Sequence, residues 1–428
     1  MDFLPAPTVI FNSDKLQIPE CPNISPEELI DLAIENRIAR AAKRSLVGGD
    51  ESFFIADLGQ VIRQHRRWTQ NLPNLQPYYA VKCNSDPILL KCLADLGTGF
   101  DCASIEEMCT VLRINVDPAR IIFANPCKSS AALAFARQVG VTRTTFDNLD
   151  ELDNIKAHMP EAQLLLRIYA SDDSALISLG DKFGAHLDTT HQLLSRAWDL
   201  GLDVVGVSFH IGTGATNPDS FRQAIQDAQV AFHQAQSIGF HPKILDIGGG
   251  FQDSHFESMA KVLREAIHSK FPASVTVIAE PGRYYARSAY TLVSRVIARR
   301  RQMGKAAMAG TPDMLYQNDG VYGNFMNVIM EKEVMKPQLC GVKNARSRVS
   351  PKSNDGNTQK NSIEHRYSIW GPTCDSIDCV VREVTLESEV KVGDWLKYTN
   401  MGAYTSTTAT QFNGFSSDHE VFYVNSET

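Results

Sequence analysis

The sequence predicts an α/β protein: a (β/α)8 barrel plus a second, mostly β domain formed from both chain ends. Three observations carry this reading. Between about residues 53 and 280, short apolar runs rich in β-formers alternate with longer segments of helical periodicity, and nine strand candidates fit in that span. The chain has 428 residues, too many for one ordinary core, whereas a barrel absorbs about 250 by itself. The flanks, 1–52 and 290–428, hold strand-like pieces without regular helical spacers. An open doubly wound sheet is the alternative for the alternating region, but length and strand number favour closure.

In chain order the strand candidates are "SFFIA", "PYYAVK", "GFDCA", "RIIFAN", "RTTFD", "AQLLLRIY", "VVGVSFHIG", "KILDIGG" and "VTVIAEPG". Amphipathic stretches separate them, among them "SDPILLKCLADLG", "SIEEMCTVLRIN", "SAALAFARQVG", "DSFRQAIQDAQVAFHQAQSIG" and "SHFESMAKVLREAIHSKF". The barrel is accordingly assigned to residues 53–289. Residues 1–52 are expected to join a C-terminal β domain over 290–428, built from pieces such as "YTLVSRVIAR", "DCVVREVTL", "DWLKYTN" and "EVFYV". Within that domain, residues 341–366 are polar, basic and almost free of large apolar side chains, which reads as a long exposed loop.

Apolar residues make up 43% of the chain and charged ones 21%, with a formal net charge of -7. That balance suits a globular enzyme and gives no electrostatic reason to bind nucleic acid. Nine cysteines are scattered without a CxxC pair, as expected of free thiols in a reducing compartment. The N-terminus lacks a basic region followed by an apolar one, and no stretch approaches the length of a membrane span. A cytoplasmic location, with small molecules or other protein chains as partners, is the expectation.

In a (β/α)8 barrel the functional groups lie at the C-terminal ends of the strands. Here those ends are polar: Lys82, Asp101, Arg167, His210 with Thr213, then Gly248, Gly249 and Gly250, and finally Glu280, Pro281, Gly282 and Arg283. Each has a bland reading alone, since a strand-end lysine is usually solvated, a lone histidine is usually a hydrogen-bonded structural residue, and a glycine triplet often only relieves crowding. Together, glycines, a hydroxyl and an arginine on neighbouring strand ends would make a phosphate cradle of backbone N–H groups and fixed positive charge. With an amine, a flat imidazole and a carboxylate on the same mouth, the set matches what pyridoxal 5'-phosphate requires.

The ordered motifs "YYAVKCN", "FDCAS", "FANPCK", "SFHIGTG", "LDIGGGF", "AEPGRYY", "NDGVYGNF", "WGPTCDSIDC" and "NMGAYT" resemble those of eukaryotic ornithine decarboxylases, a family of the alanine-racemase fold, from about residue 50 to the C-terminus. The resemblance implies that Lys82 carries the cofactor covalently, Glu280 pairs with its pyridine nitrogen and His210 stacks on its ring. Thr213, Gly250, Gly282, Arg283 and Tyr404 would hold the phosphate, with Asp101, Glu107 and Arg167 around the cofactor. It further implies an obligate homodimer in which Cys374 and Asp375 enter the partner's active site, as proton donor and as grip on the substrate's far end. Lys182 and Asp378 would pair between subunits. Relatives that racemise alanine place an arginine against the ring nitrogen, so Glu280 points to decarboxylation.

Two departures stand out. Thr213 replaces the family's usual serine and keeps the hydroxyl. In "NFMNVIMEKEVMKP" the family reads roughly "ILYDHAHVKP"; Met330 replaces the tyrosine, and Glu331 replaces the aspartate that grips the substrate's distal amine. The added methylene moves a carboxylate by about 1.5 Å, large against hydrogen-bond tolerances. Either the local helix shifts and ornithine still fits, or the chain decarboxylates another basic or N-substituted diamino acid, as paralogues in fungal and plant alkaloid pathways are thought to do. A catalytically dead, protein-binding homologue is the remaining alternative, but such chains typically lose the cofactor residues that are present here. Cys374 and Cys379 are five apart with no histidine nearby outside the 341–366 loop, which disfavours a metal site.

Overall fold

The computed structural model describes residues 24–44, 49–170, 180, 182–212, 217–341, 364–416 and 418–427. Thr213 and most of the expected 341–366 loop lie outside the described residues; His365 and Arg366 do not belong to a loop, because they open a strand.

Sixteen strands occur among the described residues. The first, β1 (Phe53–Asp57), is followed by β2 (Leu75–Ala80), β3 (Gly99–Cys102), β4 (Ile121–Phe123), β5 (Arg143–Phe146), β6 (Gln163–Arg167), β7 (Asp203–Ser208), β8 (Ile244–Asp246) and β9 (Thr276–Ala279). Strands β2 to β9 pair in parallel and close, β9 returning to β2 through Gln76↔Ile278. Alternation along each strand separates two layers. Ile121 and Phe123 belong to the large core shared with the surrounding helices, whereas Ile122 joins Tyr78, Leu165 and Ile278 in a distinct small cluster. Because successive side chains of a strand point to opposite faces, that small cluster fills the barrel and the large one glues helices to its outside.

The first of the nine strand runs is not part of the barrel. β1 pairs antiparallel with β10 (Tyr290–Arg300) and parallel with β16 (Glu420–Val424), so it belongs to the β sheet, and the expected boundary at residue 53 is corrected accordingly. Its five residues are all buried, a pattern that a buried sheet strand and a barrel strand share. The rest of the sheet comprises β11 (Asp313–Gln317), β12 (Gln338–Leu339), β13 (His365–Trp370), β14 (Cys379–Leu386) and β15 (Trp395–Tyr398), in the order β12-β15-β10-β11-β13-β14. One face of this sheet carries a helix, Pro26–Arg44, whose Leu29, Ala33 and Ile34 pack on Phe53, Ile55, Val293 and Trp395. That helix answers the expectation of a β contribution from the N-terminal segment with a helical one.

A buried aspartate ties the units together. Asp57 caps the helix Leu58–Asn71 through the Gly59 N–H and also accepts from the Ser426 N–H and hydroxyl. The C-terminal end of the chain is thereby fastened to the helix that leads into the barrel. Among the described residues no helix is long and apolar enough to cross a membrane.

Candidate active site

Lys82 lies in a single 3-10 turn, Val81–Cys83, directly after β2. Its Nζ donates to Asp101 Oδ2 at 3.0 Å, and Asp101, on β3, is buried. Desolvation opposes the charge on Lys82, but Asp101, then Tyr404 and Glu280, outweigh it and raise the affinity of the amine for its proton. Glu107 caps the next helix from within: Ser104 accepts the Glu107 N–H while the Glu107 carboxylate accepts the Ala103 N–H at 2.6 Å. Burial pushes the Glu107 carboxyl up, and the neighbouring Asp101 adds to it.

His210 follows β7. Its Nδ1 accepts the Gly212 N–H at 3.0 Å, which leaves the proton of the neutral ring on Nε2. Burial, then Arg167 and Lys82, hold the imidazole well below its ordinary range, so it is a neutral flat surface. Glycine is required beside it. A Cβ on Gly249 would stand 2.7 Å from His210 Nε2 and 3.0 Å from the Glu280 carbonyl. The Gly248 carbonyl accepts the Glu280 N–H at 2.7 Å.

One pocket at this mouth is lined among others by Lys82, His210, Gly249, Gly250, Glu280, Gly282, Arg283 and Tyr404. Pro281 contributes its carbonyl to the Ala80 N–H at 3.4 Å, which joins the end of β9 to the strand carrying Lys82. Tyr404 is held at φ +54°, an uncommon conformation for a residue with a side chain, and its N–H donates to the Cys83 carbonyl at 2.9 Å. The Arg283 guanidinium lies 5.0 Å from the Tyr404 ring centre. Arg167, at the end of β6, lies over Phe183 at 5.3 Å.

A flat phosphorylated ring fits this donor set. Arg283 Nε is buried and unpartnered, a donor left for an anion, and a Cβ on Gly282 would come within 2.8 Å of the Cys83 Cβ, so the backbone there is bare by necessity. The remaining side chains supply an amine, a neutral imidazole and a buried carboxyl around the same space.

The sequence profile of the pyridoxal-dependent decarboxylase pyridoxal-binding domain matches residues 58–287, more than half of the chain. The chain belongs to the pyridoxal-dependent decarboxylase family. It is 47% identical over 423 residues to ornithine decarboxylase of Neurospora crassa, covering 94% of this chain and 86% of that one. Among solved structures it is similar to arginine decarboxylase of Paramecium bursaria Chlorella virus, with a TM-score of 0.82, 36% identity, and coverage of 92% of this chain and all of that one. It is also similar to lysine decarboxylase of Selenomonas ruminantium, with a TM-score of 0.77 and 30% identity over 94% of this chain and 96% of that one. This pyridoxal-dependent decarboxylase takes pyridoxal phosphate as its cofactor.

Several expected site residues stand apart from the pocket. Met330 is 58% exposed at the end of the short helix Met326–Met330. Glu331 turns inward, its side chain only 5% exposed, and pairs with Arg283, while Glu333 pairs with Arg287 one turn further on. Cys374 is exposed in the loop before β14, its N–H donating to Asn413 Oδ1 at 3.1 Å. Asp375 is held by the Tyr322 hydroxyl and the Ile377 N–H, in that order of effect, which keeps its carboxyl below the usual range. Cys379 is buried at the start of β14.

Asp378, expected as an intersubunit charge, is bonded within its own chain. Its carboxylate is 1% exposed and accepts the Val321 N–H, the Thr373 N–H and the Thr373 hydroxyl, all within its own chain. It is the hub of the turn that presents Cys374. Tyr322, Asn413 and Asp246 were not singled out by sequence reasoning. An aspartate ending the buried run "ILD" just before three glycines was the available signal for the last of these.

Proposed function

We propose that the chain decarboxylates L-ornithine to putrescine and CO2, as a homodimer whose active sites draw on both subunits. The observation that carries the reading is the Lys82 amine on the pocket floor beside Asp101, with Glu280 and the glycine cradle on neighbouring strand ends. Ornithine as substrate is supported by curated ornithine decarboxylases of Neurospora crassa and Saccharomyces cerevisiae at 47% and 41% identity.

When bound, pyridoxal phosphate supplies an aldehyde for an amine and a conjugated ring that accepts the electron pair left as CO2 departs. The chain's own residues do the rest. Lys82 must shed a proton before its amine can act as a nucleophile, and until then the bond to Asp101 holds its Nζ at the strand end. His210, neutral and flat, offers a stacking face without competing for charge. Glu280 is the carboxyl expected against the ring nitrogen. Gly249, Gly250, Gly282, Arg283 and Tyr404 offer backbone N–H groups, a guanidinium and a hydroxyl to the phosphate; Thr213 is proposed to add a second hydroxyl.

Within one chain Cys374 lies outside the pocket and exposed, which supports its entry into the site of a second copy as proton donor to Cα. Asp375, kept anionic by Tyr322, would then meet the distal amine from that side, and Glu331 from the barrel side. Eight free cysteines among the described residues are compatible with the expected cytoplasmic setting.

Release of CO2 from ornithine, lysine, arginine and N-substituted diamino acids, measured on cofactor-loaded protein, tests the substrate assignment. Ornithine should give the highest kcat/KM. A preference of tenfold or more for another amino acid would transfer the assignment to that one.

A further inference from the structure

Arg283 opens the short helix after β9, and Arg287 follows it one turn further on. Both reach across to the segment behind the helix Met326–Met330, Arg283 to Glu331 and Arg287 to Glu333. The backbone holds that segment in place. The Glu331 and Glu333 N–H groups both donate to the Asn327 carbonyl, at 2.9 and 3.2 Å, and Lys332 between them sits at φ +55°, an uncommon conformation for a residue with a side chain.

The Arg283–Glu331 contact leaves one atom over on each side. It joins Arg283 Nη2 to Glu331 Oε1, while Arg283 Nε and Glu331 Oε2 are buried without a partner. Arg283 lines the pocket, and Glu331 approaches it from outside that lining. The arginine thus keeps a donor for a phosphate, but its charge is already matched by a carboxylate.

A guanidinium has donors enough for two anions and charge enough for one. When the phosphate site is empty, Glu331 compensates a buried cation that would otherwise stand alone. When a phosphate arrives, the same carboxylate is a like charge beside it and opposes it. Holding the guanidinium still works the other way, but ordering one side chain costs less than leaving a buried charge alone. Glu331 therefore stabilises the empty site more than the filled one, which lowers the affinity for phosphate.

We propose that Glu331 is the resident counter-ion of Arg283, an anion built into this chain that engages the arginine while the site is empty and tempers its hold on the cofactor's phosphate. The proposal rests on the cofactor assignment above.

The test compares pyridoxal phosphate with pyridoxal, which lacks the phosphate, by fluorescence titration of the cofactor-free protein. Glu331→Gln keeps the size and an acceptor for Arg283 but not the charge, and should bind pyridoxal phosphate about fivefold or more tightly than wild type, with pyridoxal unchanged. In an Arg283→Ala background the same substitution should change neither affinity. Equal or weaker binding of pyridoxal phosphate by Glu331→Gln, or an equal gain for pyridoxal, overturns the proposal, because a role in folding alone moves both ligands together. Failure of wild type to bind either compound would sink the cofactor assignment instead. The rise in melting temperature with inorganic phosphate decides in that case, and also if Glu331→Gln is too unstable to titrate: a larger rise in Glu331→Gln than in wild type supports the counter-ion role, and an equal or smaller one overturns it.

Discussion

Glu331 is one methylene longer than the aspartate of the family pattern, and in the folded chain that length brings it to Arg283. Both side chains are nearly buried, at 5% and 10% exposure, and Glu331 Oε2 is left without a partner. Arg283 therefore stands between the expected phosphate position and the carboxylate expected to meet the substrate. Breaking a buried pair by removing one partner leaves the other charge uncompensated, at a cost of about 3–5 kcal/mol. Glu331→Ala should lose about that much in urea unfolding of the cofactor-free protein. A loss below about 1 kcal/mol would show that solvent reaches Arg283 and that the pair contributes little. The sequence made the substitution visible, because Glu331 sits at a recognisable place in a recognisable motif. It did not reveal the partner, since nothing in "IMEKEVM" points to an arginine nearly fifty positions earlier.

At the scale of elements, the loop between β13 and β14 is organised around Asp378. Glycine at 320 and 371 is what lets its carboxylate approach: a Cβ at either position would lie 2.1–2.2 Å from Asp378 Oδ1. Asp378→Ala would strip the Val321 and Thr373 donors of their acceptor, and unsatisfied buried donors cost about 1–3 kcal/mol each. Melting should therefore fall by several degrees, and putrescine formation should drop by more than the folded fraction does, because Cys374 and Asp375 hang on the same turn. Equal losses in folding and turnover would mean that the turn has no part in presenting them. The family resemblance implied an intersubunit role for Asp378, and its bonds within the chain were not legible in the sequence, because a carboxylate that ties its own backbone looks like any other beside glycines. The helix Pro26–Arg44 was missed for a different reason: Leu29, Ala33 and Ile34 form only a narrow apolar stripe among charges, and it becomes meaningful only against Phe53 and Trp395. The barrel strands were legible because alternation with helices over 230 residues has few other solutions. β1 was assigned to the wrong sheet because its buried pattern carries no information about which strands it pairs with.

For the whole molecule, the pocket contains a nucleophilic amine, a cradle and a carboxyl, but the exposed thiol lies outside it. Asp57, held by Ser426, fastens the β sheet to the barrel within one chain, and the proposed shared site would bring the loop carrying Cys374 to the pocket of a second chain. Mixing Lys82→Ala chains with Cys374→Ala chains and measuring putrescine from ornithine tests this account most directly. Each variant alone should be inactive. With random exchange half of the dimers are mixed, and each mixed dimer has one site with both residues intact, so about a quarter of wild-type activity should return. Putrescine formation by Lys82→Ala alone, or no recovery in mixtures shown to have exchanged subunits, would contradict it.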